Sequence, residues 1–460
     1  MPDFSLTEVL KATEGRLISA AGGKFFRGIS TDTRTAQPGN LFIALAGERF
    51  DGHEFIAQAA GKGAVGVIVS RPATVPENVT VIEVKDTLVA LQALARFHRK
   101  RYHIPVVAVT GSNGKTTTKD MLAAVLASRF SVLKTEANFN NEIGLPLTLL
   151  KLEPGHEAAV VEMGMRACGE IHDLTEIALP TVGVVTNVGE THMEILGSIE
   201  NIAAAKSELV VAIAHDDLVV LNADDPHVRA MQKRAQGRVV LYGLSPEAAV
   251  RAENISTGEN NELITTFDCC SPRGSFPVIL HTVGVHNVYN ALAAIAVGLE
   301  LGLQTNDVKL GISNFIPGAM RLEIKQYGDY TVINDVYNAS PLSMAAALNT
   351  LSDISKGRKI AVLGDMLELG AAAVAAHRRI GQQTAEQGVD IVLTVGELSK
   401  HIVDAAAEHG VKITHAFTSH KEAIAALHCL MKPGDYILLK GSRGMKMEIM
   451  LEAFASTSLR

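Results

Sequence analysis

The stretch AVTGSNGKTTTKDML, residues 108–122, decides how the chain around it is read. An apolar run, IPVVAV, leads straight into Thr110 and Gly111, and a helical pattern, TTTKDMLAAVLAS, starts directly after Lys115. Strand, glycine loop and helix in that order turn several backbone N–H groups towards one point, where the helix dipole favours an anion. The usual P-loop pattern G-x-x-x-x-G-K-[ST] asks for a glycine where Val109 stands, so the loop is short. The working parts remain. Gly111, Ser112, Asn113, Gly114 and Thr117 form a cradle, Lys115 meets the outer phosphates, and the Thr116 hydroxyl reaches Mg²⁺. A purely structural turn is the alternative.

Beyond this loop, strand-like runs alternate with helical ones over most of the 460 residues, which predicts an α/β fold with largely parallel sheets. The length is too great for one core. Residues 1–102 carry the short strands LFIAL, AVGVIVS and VTVIEV, and the basic segment FHRKRYHIP, residues 97–105, reads as a connection. Residues 103–318 hold buried-strand runs around the phosphate loop: VVAVT, EAAVVEM, TVGVVTNV and DLVVLNA. Residues 319–460 repeat the pattern with KIAVLGD, DIVLTVG and DYILLKG, a second doubly wound sheet of Rossmann type. Three α/β domains are expected, with a P-loop-type sheet in the middle.

Composition narrows the function. Hydrophobic residues make up 47% and the net charge is −7, which disfavours a nucleic-acid partner held by a broad basic face. Cys168, Cys269, Cys270 and Cys429 show no zinc or C-x-x-C spacing and read as reduced thiols. No signal peptide or transmembrane segment stands out, so a cytoplasmic protein is expected. GKGAVG, residues 61–66, imitates a dinucleotide motif, but it ends a helical pattern and opens a strand, the wrong order for that site.

A magnesium ion held by one hydroxyl needs carboxylate help, and Glu162 ends the strand EAAVVEM where such an acid is expected. Glu190, His192 and Glu194 lie in the loop after TVGVVTNV, at the carboxyl end of a strand, where open α/β sheets bind ligands.

TGSNGKTT, TEANFNNEIGLP, VEMGM, TNVGETHME, AAAKSEL, VHNVYNALAA, AMRLEI and NDVYNASP occur in the order found in Mur ligases, and the chain resembles that family throughout its length. The short T-G-x-x-G-K-T-T loop is the family's own form. The resemblance implies an ATP-dependent enzyme of peptidoglycan synthesis. ISTDTR, GERFDGHEF, VLGDMLELG and KGSRGMKME resemble the members that join D-alanyl-D-alanine to UDP-MurNAc-tripeptide through an acyl phosphate. A monomer is the expected state. A related Mur or folylpolyglutamate-type ligase, or a nucleotide-binding P-loop module, remains as an alternative.

The resemblance also implies roles. Thr116 and Glu162 would hold one Mg²⁺ and His192 a second. Lys206 would be carbamylated into a metal ligand, although a solvated helix lysine is the plainer reading of its sequence context. Asn287 and Asn290 would flank the adenine, or else serve as ordinary helix-start residues. Arg321 and Asp335 would reach the γ-phosphate and ribose from the third domain, with Tyr337 and Asn338 beside them; surface ion pairing is the alternative. Ser30, Thr31, Asp32, Thr33, Arg34 and His53 would take the uridine diphosphate. Asn138 and Asn141 would line the path to the ATP, and Asp365, Ser442 and Arg443 would receive the dipeptide.

Overall fold

A computed structural model describes residues 3–47, 50–258 and 263–454. Glu48 and Arg49 of the GERFDGHEF stretch lie outside the described residues.

The central sheet has nine strands. From one edge they run Val132–Lys134, Ala158–Glu162, Val106–Thr110, Val182–Val185, Leu218–Asn222 and Arg238–Gly243, all parallel. The sheet continues through Val250–Thr257, Thr265–Ser271 and Gly274–Leu280, whose last two joints are antiparallel. The sequence reading found Ala158–Glu162, Val106–Thr110, Val182–Val185 and Leu218–Asn222, which are buried along their whole length and read as apolar runs; it did not find Val132–Lys134 and Arg238–Gly243, which are only partly buried. It missed the antiparallel extension, where alternating burial along Gly274–Leu280 leaves every second residue polar or exposed.

A five-stranded sheet forms from strands between Arg16 and Glu83, and a six-stranded sheet from strands between Glu323 and Lys440. The latter is parallel except for Glu323–Tyr327 at its edge. In GKGAVG, helix Ile56–Gly61 ends and strand Gly66–Val69 begins, so its glycines are turn residues.

The segment 97–105 corrects the sequence reading. Helix Thr87–Arg99 runs through its first three residues, and only the remainder connects. The reason lies in Arg99, which is buried despite its charge. Its guanidinium donates to the carbonyls of Ala178, Tyr102, Ile104 and Leu179, capping helix Glu170–Ala178 from outside its own domain. The same helix packs its Leu91, Leu94 and Ala95 into one apolar cluster that holds Phe26 and Ile43 of the first sheet together with Val106 and Ala108 of the central one. The first two sheets therefore share a core. The third sheet has its own cores on its two faces, joined from the central region by Val283.

Candidate active site

Strand Val106–Thr110 delivers the phosphate loop, and helix Lys115–Leu126 follows it. Two glycines make the loop possible. Gly111 has φ +152° and a Cβ there would fall 1.9 Å from Thr186 Oγ1; Gly114 has φ +80° and a Cβ would fall 2.6 Å from Asn290 Oδ1. A side chain at either position would close the loop against its neighbours.

The loop is locked from beneath by the segment after strand Val182–Val185. Ser112 N–H donates to Asn187 O at 2.9 Å, Gly189 N–H donates to Ser112 Oγ at 2.8 Å, and Asn113 N–H donates to Asn187 Oδ1 at 2.8 Å. Lys115 Nζ folds back on the carbonyls of Gly111 (2.7 Å) and Ser112 (3.3 Å). Burial lowers the lysine's pKa, Glu162 opposes this, and Arg321 adds to it. A phosphate arriving in the loop would restore the missing negative charge.

A single cavity of about 1530 Å³ lies over this loop and is lined by residues of both the central and third regions. It brings together Ser112–Thr117, Asn138, Asn141, Glu162, His192, Asn287, Asn290, Arg321, Asp335, Tyr337, Ser442 and Arg443. That volume exceeds the roughly 300–1,000 Å³ of a single small-molecule site. It suits several substrates meeting at once.

Glu162 is buried at the end of its strand. Asn140 Nδ2 donates to its Oε1 at 2.8 Å, while its Oε2 has no hydrogen-bond partner. Asn140 escaped the sequence reading, which singled out Asn138 and Asn141. Nothing in a run of three asparagines around one phenylalanine distinguishes the member that turns inward. Asn141 Oδ1 instead accepts the amide of Gly144 at 2.9 Å and opens the next helix.

Lys206 overturns the plain reading of a solvated lysine. It is 2% exposed. No described residue gives its amine a hydrogen bond or a carboxylate. Burial holds its pKa well below the ordinary value, and Lys115 pushes the same way. The helix Ile199–Ala212 that carries it also sends Glu208 to the amides of Gly169 and His172, fixing the helix that follows Glu162's loop.

His192 stands in the left-handed region, φ 56°, and its Nδ1 lies 2.6 Å from Glu368 Oε2 of the third region. The contact does not have the geometry of an aligned hydrogen bond. Burial lowers the histidine's pKa, Glu368 raises it, and Lys115 and Lys206 lower it further.

Asn290 accepts from Thr118 Oγ1 at 3.0 Å and donates to Asn287 Oδ1 at 3.1 Å, so this pair ties helix Val285–Glu300 to the phosphate-loop helix. From the third region, Arg321 lays its guanidinium 3.8 Å from the centre of the Tyr337 ring. Asp335 is already engaged: Lys440, buried, pairs with its Oδ2, and Leu322 N–H donates to its Oδ1 at 3.1 Å. Ser340 Oγ donates to Asn113 Oδ1 at 2.8 Å, a direct bond between the third region and the phosphate loop.

Other expected residues lie apart from the cavity. Ser30, Thr31, Asp32, Thr33, Arg34 and His53 are not among its lining residues. Asp32 takes Arg34, Ser30 Oγ donates to Asp32 O, and Thr33 donates to Gln58. His53 has both ring nitrogens occupied, Nδ1 by Asp51 at 2.6 Å and Nε2 by the Ser70 amide at 3.0 Å. Asp365 also stays outside, its Oδ1 accepting the amides of Leu398 and Ser399 at 3.1 and 2.7 Å.

No three His, Cys, Asp or Glu side chains among the described residues are grouped to hold a metal ion by themselves. The buried, unpartnered oxygen of Glu162 nonetheless fits a small hard cation, which takes few protein ligands and completes its shell with water and phosphate oxygens. No helix among the described residues is long and apolar enough to cross a membrane.

Comparison with known proteins bears on the chain as a whole. Models of the Mur ligase family match three segments: its catalytic domain over residues 26–99, its middle domain over 109–298, and its glutamate ligase domain over 320–443. The UDP-N-acetylmuramoyl-tripeptide–D-alanyl-D-alanine ligase of Bacillus subtilis is 42% identical, aligning with 92% of this chain and 91% of its own length. That of Escherichia coli is 37% identical over 92% and 93%. A crystal structure of MurF from Acinetobacter baumannii superposes with a TM-score of 0.91 at 32% identity, covering 99% of both chains. A Thermotoga maritima MurF in complex with ADP gives 0.84 at 28%, over 94% of this chain and 98% of that one. A folylpolyglutamate synthase from Mycobacterium tuberculosis gives 0.63 at 17%, over 80% of this chain and 94% of that one, a likeness of fold alone.

Proposed function

The chain belongs to the Mur ligase family, and we propose that it joins D-alanyl-D-alanine to UDP-MurNAc-tripeptide at the expense of ATP, in cytoplasmic peptidoglycan precursor synthesis. The observation that carries this is the convergence of Lys115, Glu162, His192 and Arg321 on one cavity large enough for three substrates.

The tripeptide carboxylate attacks the γ-phosphate of ATP, giving an acyl phosphate and ADP. The dipeptide amine then attacks that carbonyl, and phosphate leaves. Phosphoryl transfer of this kind needs positioning and charge neutralisation rather than a protein nucleophile. The amides of Gly111–Thr117 hold the phosphates, and Lys115 exchanges its loop carbonyls for phosphate oxygens. Arg321, stacked on Tyr337, offers its forked donors to the γ-phosphate from the opposite wall. Asn287 and Asn290 border the base, and Asp335, oriented by Lys440, borders the ribose.

Mg²⁺, when bound, neutralises the triphosphate and polarises the transferred group. Thr116 and Glu162 would hold one ion, and His192 with carbamylated Lys206 a second. Lys206 fits that modification because burial holds its amine's pKa well below the ordinary lysine value, favouring the neutral form that adds to CO₂ with loss of a proton. The first domain takes the uridine diphosphate near Ser30–Arg34, where the Asp32–Arg34 pair must open to free the guanidinium. Ser442 and Arg443 line the end of the cavity suited to the dipeptide carboxylate.

The test is phosphate release from ATP by the purified protein. Release should require both UDP-MurNAc-tripeptide and D-alanyl-D-alanine together. Hydrolysis indifferent to both would point to a nucleotide-binding module instead.

A further inference from the structure

His192 and Glu368 face each other across the boundary between the central and third regions, and both are non-glycine residues in the left-handed region, with φ 56° and 65°. Such a backbone is unfavourable for an L-residue and persists where the surroundings impose it. Glu194 N–H donates to Glu368 O at 3.2 Å, a backbone bond from one region to the other. Gly370, φ +53°, sits so close that a Cβ on it would lie 3.1 Å from Glu194 Cα. Nearby, Arg379 of the third region pairs with Glu190. The loop carrying Glu368 is therefore seated on the His192 loop by backbone contact as well as by the close approach of the two side chains.

We propose that Glu368 is a positioning residue for the ligation reaction, holding His192 in place from the third domain. This rests on the ligase reading above. The Glu368 side chain is 54% exposed, so its charge contact adds little to stability. Its effect should fall on the reaction rather than on the fold, because small displacements of a group at the reacting centre cost far more in rate than in folding free energy.

The experiment compares wild type with Glu368→Ala, Glu368→Gln and Glu368→Asp, by steady-state kinetics and by hydrogen exchange of a peptide spanning 190–197 in the metal-free, nucleotide-free protein. The expected result for Glu368→Ala is a kcat at least tenfold lower, with KM for ATP within twofold and melting temperature unchanged. Exchange at Glu194 should speed up severalfold, and Glu368→Asp should recover more activity than Glu368→Gln. Faster exchange with kcat unchanged would make the contact merely structural and overturn the proposal, as would a kcat loss matched by a drop in melting temperature. Wild-type kcat and exchange in the alanine variant would overturn it too. If wild type itself fails to ligate, the proposed function fails, while the exchange result still reports on the contact.

Discussion

Asn140 donates one hydrogen bond to Glu162 and leaves the other carboxylate oxygen buried and unpartnered, in a residue that lines the same cavity as the phosphate loop. An unpaired buried acceptor of this kind costs on the order of 1–3 kcal/mol, more when charged, unless a ligand satisfies it. Asn140→Ala should free the carboxylate to rotate, and we expect a fall in kcat/KM for ATP of about tenfold, near 1.4 kcal/mol, with the fold intact. Glu162→Gln should lose at least a hundredfold and should weaken the Mg²⁺ dependence of ATP binding measured by calorimetry. An Asn140→Ala enzyme with wild-type kinetics would show that Glu162 needs no such orientation.

Lys206 offers a chemical rescue. Lys206→Ala should lose most activity, and acetate at high concentration should restore part of it by occupying the vacated space with a carboxylate. Lys206→Arg should resist rescue, since the guanidinium keeps its charge and fills the space. Full activity of the alanine variant in CO₂-depleted buffer would leave the carbamate without a role.

Arg321 on Tyr337 should not tolerate lysine. The planar guanidinium stacks on the ring and keeps a fork for phosphate; an ammonium does neither equally well. Arg321→Lys should lower kcat by at least tenfold. Tyr337→Phe should keep the stacking and cost little, whereas Tyr337→Ala should raise KM for ATP. Equal kinetics for the phenylalanine and alanine variants would remove the ring from the argument.

His286 carries a pH signature. Partial burial in the cavity wall depresses its pKa to about 4, with Asp335 opposing and Lys440 assisting from the third region. Between the unfolded value near 6.5 and the folded value the unfolded chain binds the extra proton, so stability is full above about pH 6.5 and is lost as pH falls towards 4. The shift sets an upper limit of about 3 kcal/mol. His286→Gln should flatten this part of the stability curve in urea titrations between those limits. An unchanged slope would show that the histidine is solvated in the native protein.

The sequence disclosed the phosphate loop because its chemistry is local: a strand, two glycines, a lysine and a helix, all within one short run. Lys206 was ambiguous for the opposite reason. A lysine on an Ala-rich helix reads as solvated, and only the packing of that helix against helix Glu170–Ala178 and strand Val182–Val185 buries it. Asn140 was hidden among equivalent asparagines, since the turn geometry and not the residue type selects which one meets Glu162. Glu368 lay in a motif noted for resemblance alone, because its partner is 176 positions earlier in the chain. His53 shows the converse: a histidine beside a glycine and an acid looks available, yet its two nitrogens are already bonded within its own domain.

The core shared by the first and central sheets, with Arg99 riveting one to the other, makes those two regions a fixed jaw. On the proposed reading, in which the Ser30–Arg34 turn takes the uridine diphosphate, that turn and the phosphate loop are joined through a common core rather than a linker. A nucleotide-linked peptide of another length would then bring its terminal carboxylate to a different place in the cavity.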